Sequence, residues 1–111
     1  MPVDRQRVSH LPSEPLTRLE AQFGRIAAAI EARQSDRVVT EALQDTQAVC
    51  AEAASCARPS QVRTLLTNVQ TALETWQSVW PRLSTQKEFR QAVAREAHLW
   101  ARKLGELAND R

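Results

Sequence analysis

Apolar residues recur at intervals of three and four along most of this chain, and this period constrains its fold more than any other feature. The first clear stripe consists of Leu16, Leu19, Phe23, Ile26 and Ile30. Such spacing places side chains on one face of an α-helix. Alanine, the residue with the best helix propensity, is abundant, and only two residues are glycine. No stretch alternates with period two, so the sequence predicts an all-α fold.

A change in the direction of the apolar face separates the first two predicted helices. The stripe that runs from Val39 to Ala53 lies about 150° around the helix axis from the first stripe. One straight helix would therefore carry apolar residues on opposite sides. We predict a tight turn at 33–35, with Ser35 as the N-cap of the second helix. Because no Gly or Pro marks this turn, one long helix in an oligomer is the alternative.

Prolines and a capping pattern mark the other boundaries. Pro59 predicts a break between the second and third helices, and Pro81 predicts the end of the third helix directly after Trp80. Thr85 and Glu88 have the spacing of a capping box at the start of the fourth helix. The expected helices cover about 14–33, 36–57, 60–80 and 86–108.

Short turns between four amphipathic helices predict an antiparallel up-down four-helix bundle. We expect one helical-bundle domain over 14–111 and a flexible N-terminal tail over 1–13. Pairing across the third turn would place Trp76 opposite Phe89. A buried indole N–H needs an acceptor, and Thr46 is a candidate for that role.

The charge balance limits the classes of partner. Fifteen Lys and Arg residues oppose 13 Asp and Glu residues, for a net charge of +2. This balance gives no strong general attraction to nucleic acid or to anionic membranes. No apolar run approaches the roughly 18 residues that cross a bilayer, and the N-terminal residues lack a signal core. We therefore expect a cytoplasmic protein with no membrane contact, in which Cys50 and Cys56 are reduced, structural thiols.

The sequence offers few residues for catalysis. His10 belongs to the expected tail, and His98 lies on the side of the fourth helix that faces solvent. The Glu-x-x-His motif of bundle metal sites is absent, and two glycines do not build a phosphate-binding loop. We expect no enzyme, and no catalytic, cofactor-binding or metal-binding residues.

The outer face of the fourth helix is the strongest candidate for an interaction surface. Basic residues recur there every three or four positions, and Arg90 lies to one side of them. Trp80 is added because tryptophan is enriched at interaction hot spots and this one lies at a helix end, although a core position is the alternative. The complete candidate surface is Lys87, Arg90, Arg95, His98, Arg102, Trp80 and Arg82.

These features predict a small non-enzymatic bundle that acts through protein–protein interaction, as an adaptor, assembly factor or regulator. The sequence does not identify the partner protein, for which an acidic surface is the candidate chemistry, and the chain is expected to be a monomer or a homodimer. The alternative function is weak nucleic-acid binding by the arginines of the last helix. The face lacks interleaved exposed aromatic residues, which argues against that alternative. An ordinary solvated helix face is the simplest interpretation of the same charges.

Overall fold

A computed structural model describes residues 13–56 and 60–109. They form four helices: α1 (Ser13–Glu31), α2 (Asp36–Cys56), α3 (Ser60–Leu83) and α4 (Lys87–Asn109). The described residues contain no strand, so the predicted all-α bundle is confirmed. Residues 1–12 of the predicted tail lie outside the described part of the chain. Within that part, no helix combines the length and apolar character needed to span a bilayer.

The turn after α1 closes without glycine. Arg33 adopts a left-handed conformation, with φ of 58°. Its N–H donates to the Ile30 carbonyl at 3.1 Å, and the Gln34 N–H donates to the Ala29 carbonyl at 2.9 Å. These two bonds form a Schellman motif, which normally places glycine at the left-handed position. Arginine in this conformation costs about 1 kcal/mol and leaves no sequence signal of a turn.

Ser35 begins the second helix, as predicted. Its hydroxyl oxygen accepts a hydrogen bond from the Val38 N–H at 3.4 Å. Its carbonyl accepts the first bond of the helix, from the Val39 N–H at 3.1 Å. An N-cap satisfies backbone donors that the first helical turn leaves without partners. The break between the first two helices is therefore confirmed, and the alternative of one continuous helix is wrong.

The predicted end of α3 at Trp80 is wrong, because the helix continues through Pro81 to Leu83. The Ser84 N–H donates to the Trp80 carbonyl at 2.9 Å, so the backbone completes another turn. Pro81 cannot donate a hydrogen bond to the Gln77 carbonyl, but its fixed φ is compatible with the last turn of the helix. α4 correspondingly begins with Gln86 as its N-cap, since the Gln86 carbonyl accepts from the Arg90 N–H at 3.0 Å.

The extra turn of α3 changes the aromatic contacts and the capping. Phe89 packs on Trp80, with ring centroids 5.6 Å apart, and not on Trp76 as predicted. Trp76 instead meets Phe23 of α1 edge-to-face, with centroids 6.1 Å apart. The predicted capping box is also wrong, because α4 starts one residue later than a Thr85 cap requires.

Each helix packs against two neighbours, but the four helix–helix contacts differ in extent. α1 lies against α2 and α4, and α2 also lies against α3, whereas α3 and α4 contact each other least. The Arg18 guanidinium forms two hydrogen bonds with the Glu52 carboxylate, at 3.0 and 3.1 Å, across the α1–α2 contact. Arg25 pairs with Asp45 across the same contact at 3.0 Å. Exposed pairs of this kind add little stability, so burial of apolar side chains holds the bundle together.

The core contains a few polar groups. The Thr46 hydroxyl donates to the Ala42 carbonyl at 2.6 Å, which is not the predicted indole contact. Trp80 is 1% exposed, and its indole N–H has no acceptor among the described residues. Cys50 is a free, buried thiol whose sulfur donates to the Leu66 carbonyl, and burial raises its pKa to about 11. The side chain of Cys56 lies outside the described side chains.

Candidate functional site: a basic groove at one end of the bundle

The antiparallel order of the helices brings the α1–α2 turn and the α3–α4 turn to the same end of the bundle. A groove of about 990 Å³ lies between them, which we call the basic groove. Its titratable lining comes from the end of α1, the first turn, the start of α2 and the first three turns of α4. These residues are Glu31, Arg33, Asp36, Lys87, Arg90, Arg95 and His98.

A partly buried hydrogen bond connects the two turns at the groove. The Ser84 hydroxyl donates to the Asp36 carboxylate at 2.9 Å, and Ser84 is only 3% exposed. Serine at this position can reach a residue 48 positions earlier only because the turns lie side by side. A charge-assisted bond of this kind is stronger than a bond between neutral groups, so it fixes the relative position of the two walls.

Arg90 has a structural role in this groove. Its guanidinium donates to the Ser84 carbonyl at 3.0 Å and to the Ile30 carbonyl at 3.3 Å. It also lies over the Trp80 ring, 5.5 Å from the ring centroid. The two carbonyls lie at the C-terminal ends of α3 and α1, where the helix dipole attracts cations. Arg90 therefore holds the groove together and uses two of its five N–H donors within the protein.

His98 and Glu31 form the rim between α4 and α1. The His98 Nε2 atom lies 3.0 Å from the Glu31 carboxylate, and both side chains are more than half exposed. The contact is an ion pair only when the imidazole is protonated. It connects two neighbouring helices at the surface and leaves both groups accessible to solvent.

Three cations of the groove have no counter-charge within the described residues. Arg33, Lys87 and Arg95 are exposed and make no ion pair there. With Arg90, four permanent positive charges line the groove against the two carboxylates of Glu31 and Asp36. Unpaired guanidinium and ammonium groups around a concave surface attract carboxylates or phosphates.

The structure divides the predicted interaction surface into three parts. Lys87, Arg95 and His98 line the groove, together with the half-buried Arg90. Arg82 and Arg102 are exposed but do not line it. The inclusion of Trp80 is wrong, because its ring is enclosed by the core and offers no surface to a partner.

Sequence reasoning missed the contribution of the first and third turns. Arg33, Asp36 and Ser84 are not among the predicted residues, because none of them lies on the basic face of the fourth helix. The antiparallel topology is the signal that would have found them, since it places the first and third turns at one end. The left-handed backbone that directs Arg33 has no counterpart in the residue pattern.

Neither a metal-binding cluster nor a similarity to known proteins assigns a role to the basic groove. Across residues 13–56 and 60–109, no group of three His, Cys, Asp or Glu side chains could hold a metal ion. Comparisons with family models, curated proteins and solved structures found nothing that matches this chain.

Proposed function

We propose that this chain acts by protein–protein interaction, as an adaptor, assembly factor or regulator, and binds an acidic segment of its partner in the basic groove. The observation that carries the proposal is the group of three cations, Arg33, Lys87 and Arg95, around one concave surface, none of which forms an ion pair with a described residue. The α1–α2 turn and the α4 helix supply them, so a ligand with several carboxylates contacts more than one element. Such multipoint electrostatic contact favours specificity and rapid association.

The size of the groove supports a peptide as the ligand. A volume of about 990 Å³ is comparable with pockets that hold a drug-sized molecule, and it accommodates a few side chains of a partner protein. The Ser84–Asp36 bond and the Arg90 contacts fix the walls before binding. A preformed site costs less ordering on association than a flexible one. We also propose a cytoplasmic location, because the free Cys50 thiol is typical of a reducing compartment.

The test compares charge reversal inside and outside the groove. Proteins captured from the source cell by the wild-type chain are identified by mass spectrometry, and the binding of each purified candidate is then measured by calorimetry. We expect Arg33→Glu with Arg95→Glu to raise the Kd at least about tenfold, because attraction becomes repulsion at two contacts. The matched control is Arg82→Glu with Arg102→Glu, which changes charge equally on exposed residues outside the groove. Equal weakening by both pairs, with unchanged helical circular dichroism, would contradict the proposal.

Nucleic-acid binding is the alternative function, and the same unpaired cations favour it. A labelled single-stranded oligonucleotide of random sequence is titrated at low and at high salt. If the alternative is correct, binding appears at low salt, falls steeply as salt rises, and is lost with Arg33→Glu and Arg95→Glu. Absence of binding at low salt eliminates the alternative and leaves the protein partner.

A further inference from the structure

One side of α4 carries apolar side chains that the bundle covers incompletely. Leu99 is 47% exposed, and it is the one large hydrophobic residue that is exposed in the described part of the chain. Trp100 and Leu107 pack against the core but are only half-buried. The contact between Phe89 and Trp80 shows that this side of α4 faces α3. Since α3 and α4 contact each other least, this side of α4 remains open to solvent.

The residues on the open side have a spacing along the sequence that is the same when read from either end. They are Ala92, Glu96, Leu99, Trp100, Lys103 and Leu107, which we call the α4 face. Successive members are separated by 4, 3, 1, 3 and 4 residues. At about 100° per residue they occupy an arc of roughly 100°, as one side of a helix does. The centre of the pattern is the apolar pair Leu99 and Trp100.

We propose that the α4 face binds the same face of a second copy of this chain, with the two α4 helices antiparallel. A two-fold axis between positions 99 and 100 sets Leu99 of one copy beside Trp100 of the other. It sets the small Ala92 opposite the larger Leu107, as close packing requires. The interface is isologous, so every contact occurs twice.

The charges of the α4 face are complementary only in this arrangement. Glu96 lies opposite Lys103 of the second copy, and Lys103 opposite its Glu96. A parallel pairing would set each charge against its own kind, which is unfavourable. Glu96 is exposed and has no ion-pair partner within residues 13–56 and 60–109. The Lys103 ammonium lies 5.7 Å from the centroid of the Trp100 ring, beside the centre of the face.

The proposed dimer is independent of the proposed function. The basic groove lies where α4 meets α1, whereas the α4 face lies on the side toward α3. A dimer built through the α4 face therefore leaves two grooves accessible. Loss of the dimer through Leu99→Glu and loss of groove binding through Arg33→Glu and Arg95→Glu are separate results, and neither implies the other.

The first experiment measures the mass of the full chain by light scattering and sedimentation over about 1–100 μM, a range in which weak homodimers are detected. We expect a mass twice the 12.5 kDa of one chain at the upper end of this range. Leu99→Glu should raise the dimer Kd at least about tenfold, because it brings a carboxylate into the apolar centre. Arg102→Glu is the matched control on the same helix and should leave the Kd unchanged. Both residues are exposed, so neither change should alter the helical circular dichroism.

The second experiment tests the register by charge exchange. Glu96→Lys and Lys103→Glu should each raise the Kd about tenfold, since each creates two repulsive pairs by symmetry. Mixing the two single variants should restore association, because every pair in the mixed dimer has opposite charges. A chain that carries both substitutions should dimerise like the wild type.

Three results would overturn the proposal. They are a wild-type chain that stays monomeric throughout the range, a dimer that is insensitive to Leu99→Glu, and a mixture of charge variants that does not reassociate. A monomeric chain would mean that the α4 face does not bind a second copy. A dimer without charge rescue would mean that the two copies meet elsewhere or in another register.

Discussion

α4 has two neighbouring helices, and it packs closely on the one that is more distant in sequence. α1 and α4 share the most extensive contact of the bundle, although two whole helices separate them along the chain. α3 directly precedes α4 but contacts it least. Toward α1, α4 presents small residues such as Ala94 and Gly105, whereas toward α3 it presents Phe89 and Trp100.

Side-chain size explains this difference. The distance between packed helices is set by the side chains at their contact, and alanine and glycine permit a close approach. The large ring pair of Trp80 and Phe89 keeps α3 and α4 apart beside their turn. Short connections therefore fix which helices are neighbours, but the residues between them fix how closely they pack.

The largest expected effect is the removal of the ring that fills the junction beside the α3–α4 turn. Trp80→Ala should lower the free energy of unfolding by about 3–5 kcal/mol, because the site is enclosed. Trp100→Ala should cost about 1–2 kcal/mol, since its ring is only half-buried. Both are measured by urea denaturation in a Leu99→Glu background, so that the proposed dimer does not contribute. Equal losses would show that the α3–α4 edge is as well packed as the core.

Trp80→Phe provides the control for the first prediction. It retains an aromatic ring against Phe89 and removes the indole N–H that has no acceptor among the described residues. A buried donor without a partner is itself unfavourable. The loss should therefore be well below that of Trp80→Ala. A loss as large as that of the alanine variant would imply that the complete indole shape, and not its burial, fixes the junction.

The second prediction enlarges one completely buried and one half-buried alanine of α4. Ala97 is completely buried, so Ala97→Leu should lower the free energy of unfolding by about 1–3 kcal/mol through overpacking. Ala92 is half-buried toward α3, and Ala92→Leu should change the same quantity by less than about 0.5 kcal/mol. Denaturation of both variants in the Leu99→Glu background compares the buried and the half-buried position directly. A strongly destabilised Ala92→Leu variant would refute the open edge.

Much of the fold follows from the sequence, because apolar period and N-caps act locally. The turn at Ser35 was predicted from the change in the apolar face. The continuation of α3 through Pro81 was not, because it depends on hydrogen bonds made beyond the proline. The resulting register places Phe89 on Trp80, and no local pattern specifies that contact.

The candidate site was predictable only in part, and for a similar reason. Lys87, Arg95 and His98 were found because they share one face of one helix. The structural role of Arg90 depends on carbonyls of two other helices, and Arg33 reaches the groove from a turn without a signature. Exposure of Trp80 was inferred from its position near a helix end, but tertiary packing encloses it.

The smallest expected effect compares Gly24 of α1, which borders open space, with Gly105 of α4, which approaches α1. A Cβ added at Gly24 of α1 would meet no atom within 4 Å, so Gly24→Ala should raise the free energy of unfolding by about 0.5–1 kcal/mol. A Cβ added at Gly105 of α4 would lie 2.8 Å from the Glu20 carboxylate, which must move aside. Gly105→Ala should therefore raise the free energy of unfolding by less than Gly24→Ala does, as measured by thermal denaturation.

The Gly105 result has a direct control, because the obstacle is the end of a flexible side chain. In a Glu20→Ala background the obstacle is absent, and Gly105→Ala should then recover the full gain of about 0.5–1 kcal/mol. The double-variant cycle isolates this coupling from the separate effect of losing Glu20. A gain at Gly105 that is the same with and without Glu20 would mean that α1 and α4 lie farther apart than the structure places them. The α1–α4 contact would then not be the closely packed side of α4.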